Sequence, residues 1–215
     1  MPYVRHTMMT FDPSNYDAIM SIADSTREAI LGWSGLRSVR VARVADNRMM
    51  VTGAYVDKAA ADANAENART NFGKMGEFMT QPPVQREGEV VWSYDADDQS
   101  KEAGYLRHLI YGFDISKYDA LMSYWDTTTG ICRGISGLIR IRLVRCQEPN
   151  NRMFQTVAYD SKQSADAGLE TMRSVMADMD EFIIDDPTIP GVAQFEKNIS
   201  AVSYTHLTLP TNREV

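Results

Sequence analysis

Two histidines stand in nearly the same setting, one in YVRH (residues 3–6) and one in YLRH (residues 105–108). An imidazole exchanges protons near neutral pH, its ordinary pKa being about 6.5, so His6 and His108 are the candidate general bases of the chain. On a strand, side-chain alternation groups His6 with Val4 and Met8, and His108 with Leu106 and Ile110. Such apolar company suits a base at the edge of a pocket. It suits equally a buried, hydrogen-bonded histidine that only supports the fold. Other groups repeat as well. Arg40 matches Arg142 and Arg5 matches Arg107, and a guanidinium can hold a phenolate or a carboxylate by charge-assisted hydrogen bonds. The structural alternative pairs these arginines with carboxylates at a sheet edge. Tyr55 and Tyr159 are matched candidates for hydrogen bonding a ligand, or for closing a core. Trp33 has Ile135 as its counterpart, so a pocket lined by Trp33 belongs to the first copy alone. With one histidine per copy and no second ligand at useful spacing, no metal site is expected.

These pairs exist because the chain is a duplication. An offset of 102 aligns FDPSNYDAIMS (11–21) with FDISKYDALMS (113–123), eight of eleven positions being identical. The same offset pairs WSGL (33–36) with ISGL (135–138), and Arg43 with Arg145. It grows to 104 where ADNRM (45–49) becomes QEPNNRM (147–153), and then aligns Ala54-Tyr55 with Ala158-Tyr159 and Phe78 with Phe182. A length change inside a turn is where an insertion is best tolerated. The expected domains are residues 1–97 and 103–200, joined by the acidic, polar stretch DADDQSKEAG (95–104).

Each copy predicts the same element order. A first strand covers Tyr3–Met9 or Tyr105–Tyr111. A helix follows, with Ser14 or Ser116 as N-cap and Asp12 or Asp114 serving its N-terminus. Tyr16, Ile19, Met20, Ala23 and Ile30 form its apolar face, and Gly32 and Gly35 end it. A second strand alternates Ile139, Ile141 and Leu143 with Arg140 and Arg142. A third strand, RMMVTGAYV or RMFQTVAYD, comes after a polar turn. The second helix shows the strongest periodicity, Ala61, Ala65, Ala68, Phe72, Met75 and Met79, or Ala165, Leu169, Met172, Met176, Met179 and Ile183. Prolines 82–83 and 187 are expected to break it before a last strand, EVVWSY (89–94) or AQFEKNI (193–199). The order βαββαβ is the ferredoxin-like α+β arrangement. It leaves one sheet face bare, and two copies packed sheet to sheet would cover it.

Bulk properties bound the function. Of 215 residues 44% are hydrophobic and 24% charged, as in soluble globular proteins, and no apolar run is long enough to span a bilayer. The N-terminus lacks the pattern of a signal peptide, so a cytoplasmic protein is expected. The net charge of −7 argues against a nucleic-acid surface. Cys132 and Cys146 read as small core-filling residues. VSYTHLTLPT (202–211) resembles translated adapter sequence, so residues 201–215 are expected to be a non-native tail, and His206 goes with them.

The element order, the SGL turn into an alternating strand, the third strand ending in AY and the PPVQREGEVVWSY ending together resemble the dimeric α+β barrel superfamily. Within it they resemble the antibiotic biosynthesis monooxygenase-like domains. The resemblance spans nearly all of residues 1–97 and 103–200. It implies an intramolecular pseudo-dimer and leaves further homo-oligomerisation open. It also implies a small aromatic ligand in an apolar cavity between sheet and helices, and oxygenation of a phenol or quinol without a cofactor. In that reading His6 or His108 is the base, Arg40 or Arg142 steadies the substrate anion, and Tyr55, Tyr159 and Trp33 bind the substrate. The oxygenases of the family often carry a tryptophan where Tyr55 and Tyr159 stand. The Asn-Trp-His set of the haem-degrading relatives has no match. The rival reading is a non-catalytic ligand-binding or structural protein of the same fold, with haem binding through one histidine as a third.

Overall fold

The computed structural model describes residues 1–98 and 100–184. The predicted strand 193–199, Pro187 and the tail 201–215 lie outside the described residues. The chain separates into two compact units, the first covering Met1–Glu89 and the second beginning at Val90.

In the first unit β1 (Tyr3–Phe11) lies between β3 (Arg48–Tyr55) and the first part of β4 (Met79–Asp95), and β2 (Leu36–Ala45) pairs with the far edge of β3. All three ladders are antiparallel. Four short helices accompany them: α1 (Tyr16–Ser25), α2 (Arg27–Leu31), α3 (Lys58–Ala63) and α4 (Ala65–Gly73). The second unit repeats the plan with β5 (Tyr105–Phe113), β6 (Leu138–Cys146), β7 (Arg152–Tyr159), β8 (Ile183–Ile184), α5 (Tyr118–Thr127), α6 (Thr129–Arg133), α7 (Lys162–Ala167) and α8 (Leu169–Ala177). There β7 pairs with both β5 and β6, and β8 with the end of β5. Each unit is therefore mixed α+β. No helix among the described residues is long and apolar enough to cross a membrane.

Each predicted helix is in fact two. Thr26 and Thr128 sit at the first junction, nearly fully buried, and their Oγ1 atoms donate to the carbonyls of Ala23 and Trp125, three residues back. That bond takes the carbonyl out of the regular helical ladder and bends the chain. Buried Asn64 marks the second junction in the first unit, its Nδ2 donating to the carbonyls of Ala60 and Ser34. Gly168 takes that place in the second unit.

Asp12 and Asp114 cap the short 3-10 turns Pro13–Asn15 and Ile115–Lys117 that lead into α1 and α5, and Ser14 and Ser116, expected as N-caps, lie inside those turns. The aspartate carboxylates accept the hydroxyls of Ser14 and Ser116 at 2.7 Å and their backbone N–H groups at 2.9 Å, and those bonds lower both aspartate pKa values. Gly35 and Gly137 adopt φ of +73° and +74°, a left-handed conformation that glycine alone enters without strain. A Cβ on Gly35 would also lie 2.5 Å from that of Ala60.

Pro82 and Pro83 do not end a helix. They lie inside β4, where the ladder to β1 steps from Thr10–Gln81 to Met8–Val84. Such an irregularity is the place in a strand that tolerates residues without an N–H. Met79 and Ile183, predicted as helical, begin strands β4 and β8.

The last residues of β4 pack in the second unit. Tyr94 joins the core around Tyr105, Leu138 and Tyr159, and Trp92 stacks on Trp125 with ring centroids 5.2 Å apart. The sequence repeat and the compact unit therefore end at different residues. Cys132 and Cys146 are buried free thiols.

Candidate functional site

In the first unit the odd-numbered side chains of β1 face the helices. Arg5 and Thr7, with Val39, Val41, Val51 and Gly53 of the next two strands, floor a cavity of about 100 Å³. Met20, Ala23, Ile30 and Phe72 roof it from the helices, and Trp33 and Tyr55 close its aromatic side. The cavity bridges two parts of the core, one around Met9, Phe11 and Ile19, the other around Tyr3, Leu36 and Tyr55. Gly53 shapes it directly. A Cβ there would lie 3.1 Å from both the ring and the hydroxyl oxygen of Tyr55, so the tyrosine ring lies back across a bare stretch of β3.

The cavity is largely apolar but contains charge. Arg5 is 8% exposed. Its Nε donates to Glu87 Oε2 at 2.5 Å and its Nη1 to the Ala61 carbonyl at 3.1 Å, so its charge is already matched. Burial raises the Tyr55 pKa against the opposing pull of Arg5, with Glu87 adding to the rise. Tyr55 is thus a neutral phenol at neutral pH, able to hydrogen bond a ligand and unsuited to act as a base.

The second unit has filled the equivalent space. Trp125 stands where the first unit has Ala23, Met172 where it has Ala68, Val157 for Gly53 and Leu109 for Thr7. Trp125 is fully buried, and a cavity of about 40 Å³ remains, bordered by Arg107, His108 and Tyr159 among others. That space is too small for an aromatic ring. Among the described residues, the apolar space between sheet and helices is thus open in the first repeat and filled in the second.

Neither histidine lines the cavity of the first unit. Strand alternation places His6 on the face of β1 opposite the cavity. There its Nδ1 and Thr52 Oγ1 are hydrogen bonded at 2.9 Å, and Arg40 lies opposite Thr52 on β2, so the three side chains form a row across three strands. The second unit repeats the row as His108, Thr156 and Arg142, with 2.9 Å between His108 Nδ1 and Thr156 Oγ1. His6 is 3% exposed, and burial lowers its pKa to about 3, so it is neutral at neutral pH and a weak base. Arg142 bonds both oxygens of Asp95 at 2.7 and 2.9 Å and the carbonyl of Tyr94 at 3.0 Å, a structural ion pair.

The residues singled out in the sequence thus fall into two sets. Trp33 and Tyr55 meet in the cavity. His6 and Arg40 lie on the other face, on either side of Thr52, and do not join them. Tyr159, His108 and Arg107 border the filled space, while Arg142 is held by Asp95. Gly53, Arg27 and Asn71 also line the cavity, as do Ala23 and Ala68, which the sequence pattern marks only as helix-face residues. The signal for Gly53, Ala23 and Ala68 was present: aligned copies that differ as small against large mark where one copy keeps a hole and its twin packs it.

Several solved structures share this architecture. A candidate monooxygenase of Fusobacterium nucleatum superposes with a TM-score of 0.70, covering 86% of this chain and 88% of that one at 9% identity. A second, from Lactobacillus acidophilus, gives 0.67 with 86% and 90% covered, also at 9% identity. The chain has their fold. An anthrone oxidase-like protein shares it too, with a TM-score of 0.62, 86% and 87% covered and 11% identity. No family model matches the chain, and no curated protein matches its sequence. At such low identity the shared fold extends to the tandem α+β architecture, while the chemistry rests on the chain's own residues.

Proposed function

We propose that the first repeat binds a small, planar aromatic molecule in its cavity, and that the protein oxygenates an electron-rich phenol or hydroquinone there without a cofactor. One observation carries the reading. Trp33, Tyr55 and Phe72 converge on an apolar cavity whose counterpart among the described residues of the second repeat is reduced to about 40 Å³. Its volume is of the order of the about 150 Å³ apolar cavity that takes up benzene. Aromatic walls favour an aromatic guest through offset or edge-to-face contacts.

The chemistry follows from the guest. A phenol that loses its proton to solvent becomes an anion able to give an electron to dioxygen. Combination of the two radicals at a ring carbon forms a peroxide. Loss of water then leaves a quinone: the ring carbon gives up its hydrogen, one oxygen atom becomes the new carbonyl, and the other departs as water. The protein's part is to bind, orient and desolvate the ring. Neither histidine is assigned to this step, because His6 faces away from the cavity and His108 borders only the filled one. A second reading, binding without turnover, is favoured by the lack of an imidazole in the cavity lining.

The test is dioxygen uptake by the full chain against a panel of phenols and hydroquinones with no added cofactor. Uptake is expected from the wild type. It should fall at least about tenfold in Gly53→Val, where the side chain found in the second repeat displaces Tyr55, and persist in His6→Gln. Binding without uptake would support the second reading. Uptake that needs His6 and tolerates Gly53→Val would contradict the placement of the site.

A further inference from the structure

Two polar side chains at the cavity have no structural task. Arg27 opens α2 and Asn71 lies on α4, both line the cavity and both are half-buried. Among the described residues no side-chain hydrogen bond or ion pair involves either of them. Arg5, the other cation of the cavity, is held by Glu87 and the Ala61 carbonyl. Arg27 is therefore the one guanidinium of the lining that is available to a guest.

The second repeat supplies a control. Where its cavity is filled, Arg27 is replaced by Thr129 and Asn71 by Val175, which is buried. The two polar groups are thus present in the copy with the open cavity and missing from the copy where that space is filled. A half-buried cation beside an apolar space is costly unless it is solvated or meets an anion. Asp24 is also in the lining, three residues before Arg27, but it is exposed and closes no ion pair with Arg27 among the described residues. Water screens its charge more than it screens that of Arg27.

We infer that the guest carries an anionic oxygen, a carboxylate or a phenolate, held by Arg27 and Asn71 while its ring lies between Trp33, Tyr55 and Phe72. A guanidinium and an amide N–H donate to such an oxygen, and the aromatic walls select the ring. This rests on the reading of the cavity as a ligand site and adds the charge of the ligand to it.

Calorimetric titration of the full chain with 4-methylbenzoate, its neutral counterpart 4-methylbenzyl alcohol, and 4-methylphenol tests it. The benzoate is expected to bind about tenfold more tightly than the alcohol, the scale of one charge-assisted hydrogen bond. If phenolate is the native group, 4-methylphenol instead tightens as pH rises through its own ionisation. Arg27→Gln should abolish either preference while leaving the alcohol unchanged, and Asn71→Val should reduce it. Alcohol and benzoate of equal affinity, with no tightening of the phenol at alkaline pH, would overturn the inference and leave the cavity reading intact. An anion preference that survives Arg27→Gln would overturn it as well. Binding of none of the three compounds would overturn both.

Discussion

His6 is the residue whose chemistry changed most between sequence and structure. Its neighbours Val4 and Met8 were legible from alternation, and so was its apolar surround. Which face of the sheet would hold the cavity was not, because alternation assigns side chains to faces without saying which face the helices cover. The consequence is measurable. Its pKa falls from an ordinary 6.5 to about 3 in the folded chain, through burial. Below pH 6.5 the unfolded chain takes a proton at this site that the native protein refuses, so stability falls as pH drops towards 3. The slope is at most about 1.4 kcal/mol per pH unit. Urea unfolding followed between neutral and mildly acidic pH should show this slope in the wild type and a shallower one in His6→Gln. An unchanged slope in the variant would place the imidazole in contact with solvent.

At the scale of elements, the order of strands and helices was plain in the sequence because it appears twice. The breaks within the helices were not, since Thr26 and Thr128 differ little in helix propensity from their neighbours and act through one side-chain bond each. The paired prolines of β4 misled for a related reason: they mark an irregular ladder, and that is visible only with β1 alongside. The two helices α1 and α5 follow the same aspartate-capped turn and end at the same threonine-marked bend, yet bring different side chains to the same place, Ala23 in one and Trp125 in the other. Trp125 stacks on Trp92, whose Nε1 donates to Asp126 at 3.1 Å. Trp125→Ala is expected to cost about 3–5 kcal/mol, the range for truncating a buried large aromatic. Chemical denaturation monitored by far-ultraviolet circular dichroism reads that loss. A change under about 1 kcal/mol would mean that the second repeat is not held by this filling of its cavity.

For the whole molecule, duplication was the strongest signal in the sequence and asymmetry the weakest. A repeat announces itself through identical residues, such as the two YDA segments. The difference in packing between the copies lies in scattered substitutions, Gly53 against Val157 and Ala68 against Met172, that gain meaning only once they prove to line one space. With the space open in one copy and filled in the other, each chain is expected to hold one ligand. The most direct measurement is a crystal structure of the protein with 4-bromophenol, in which anomalous scattering locates each bromine. One bromine per chain is expected, beside Trp33, Tyr55 and Phe72. A bromine in the second repeat, or none in the first under conditions where phenols bind in solution, would contradict the account.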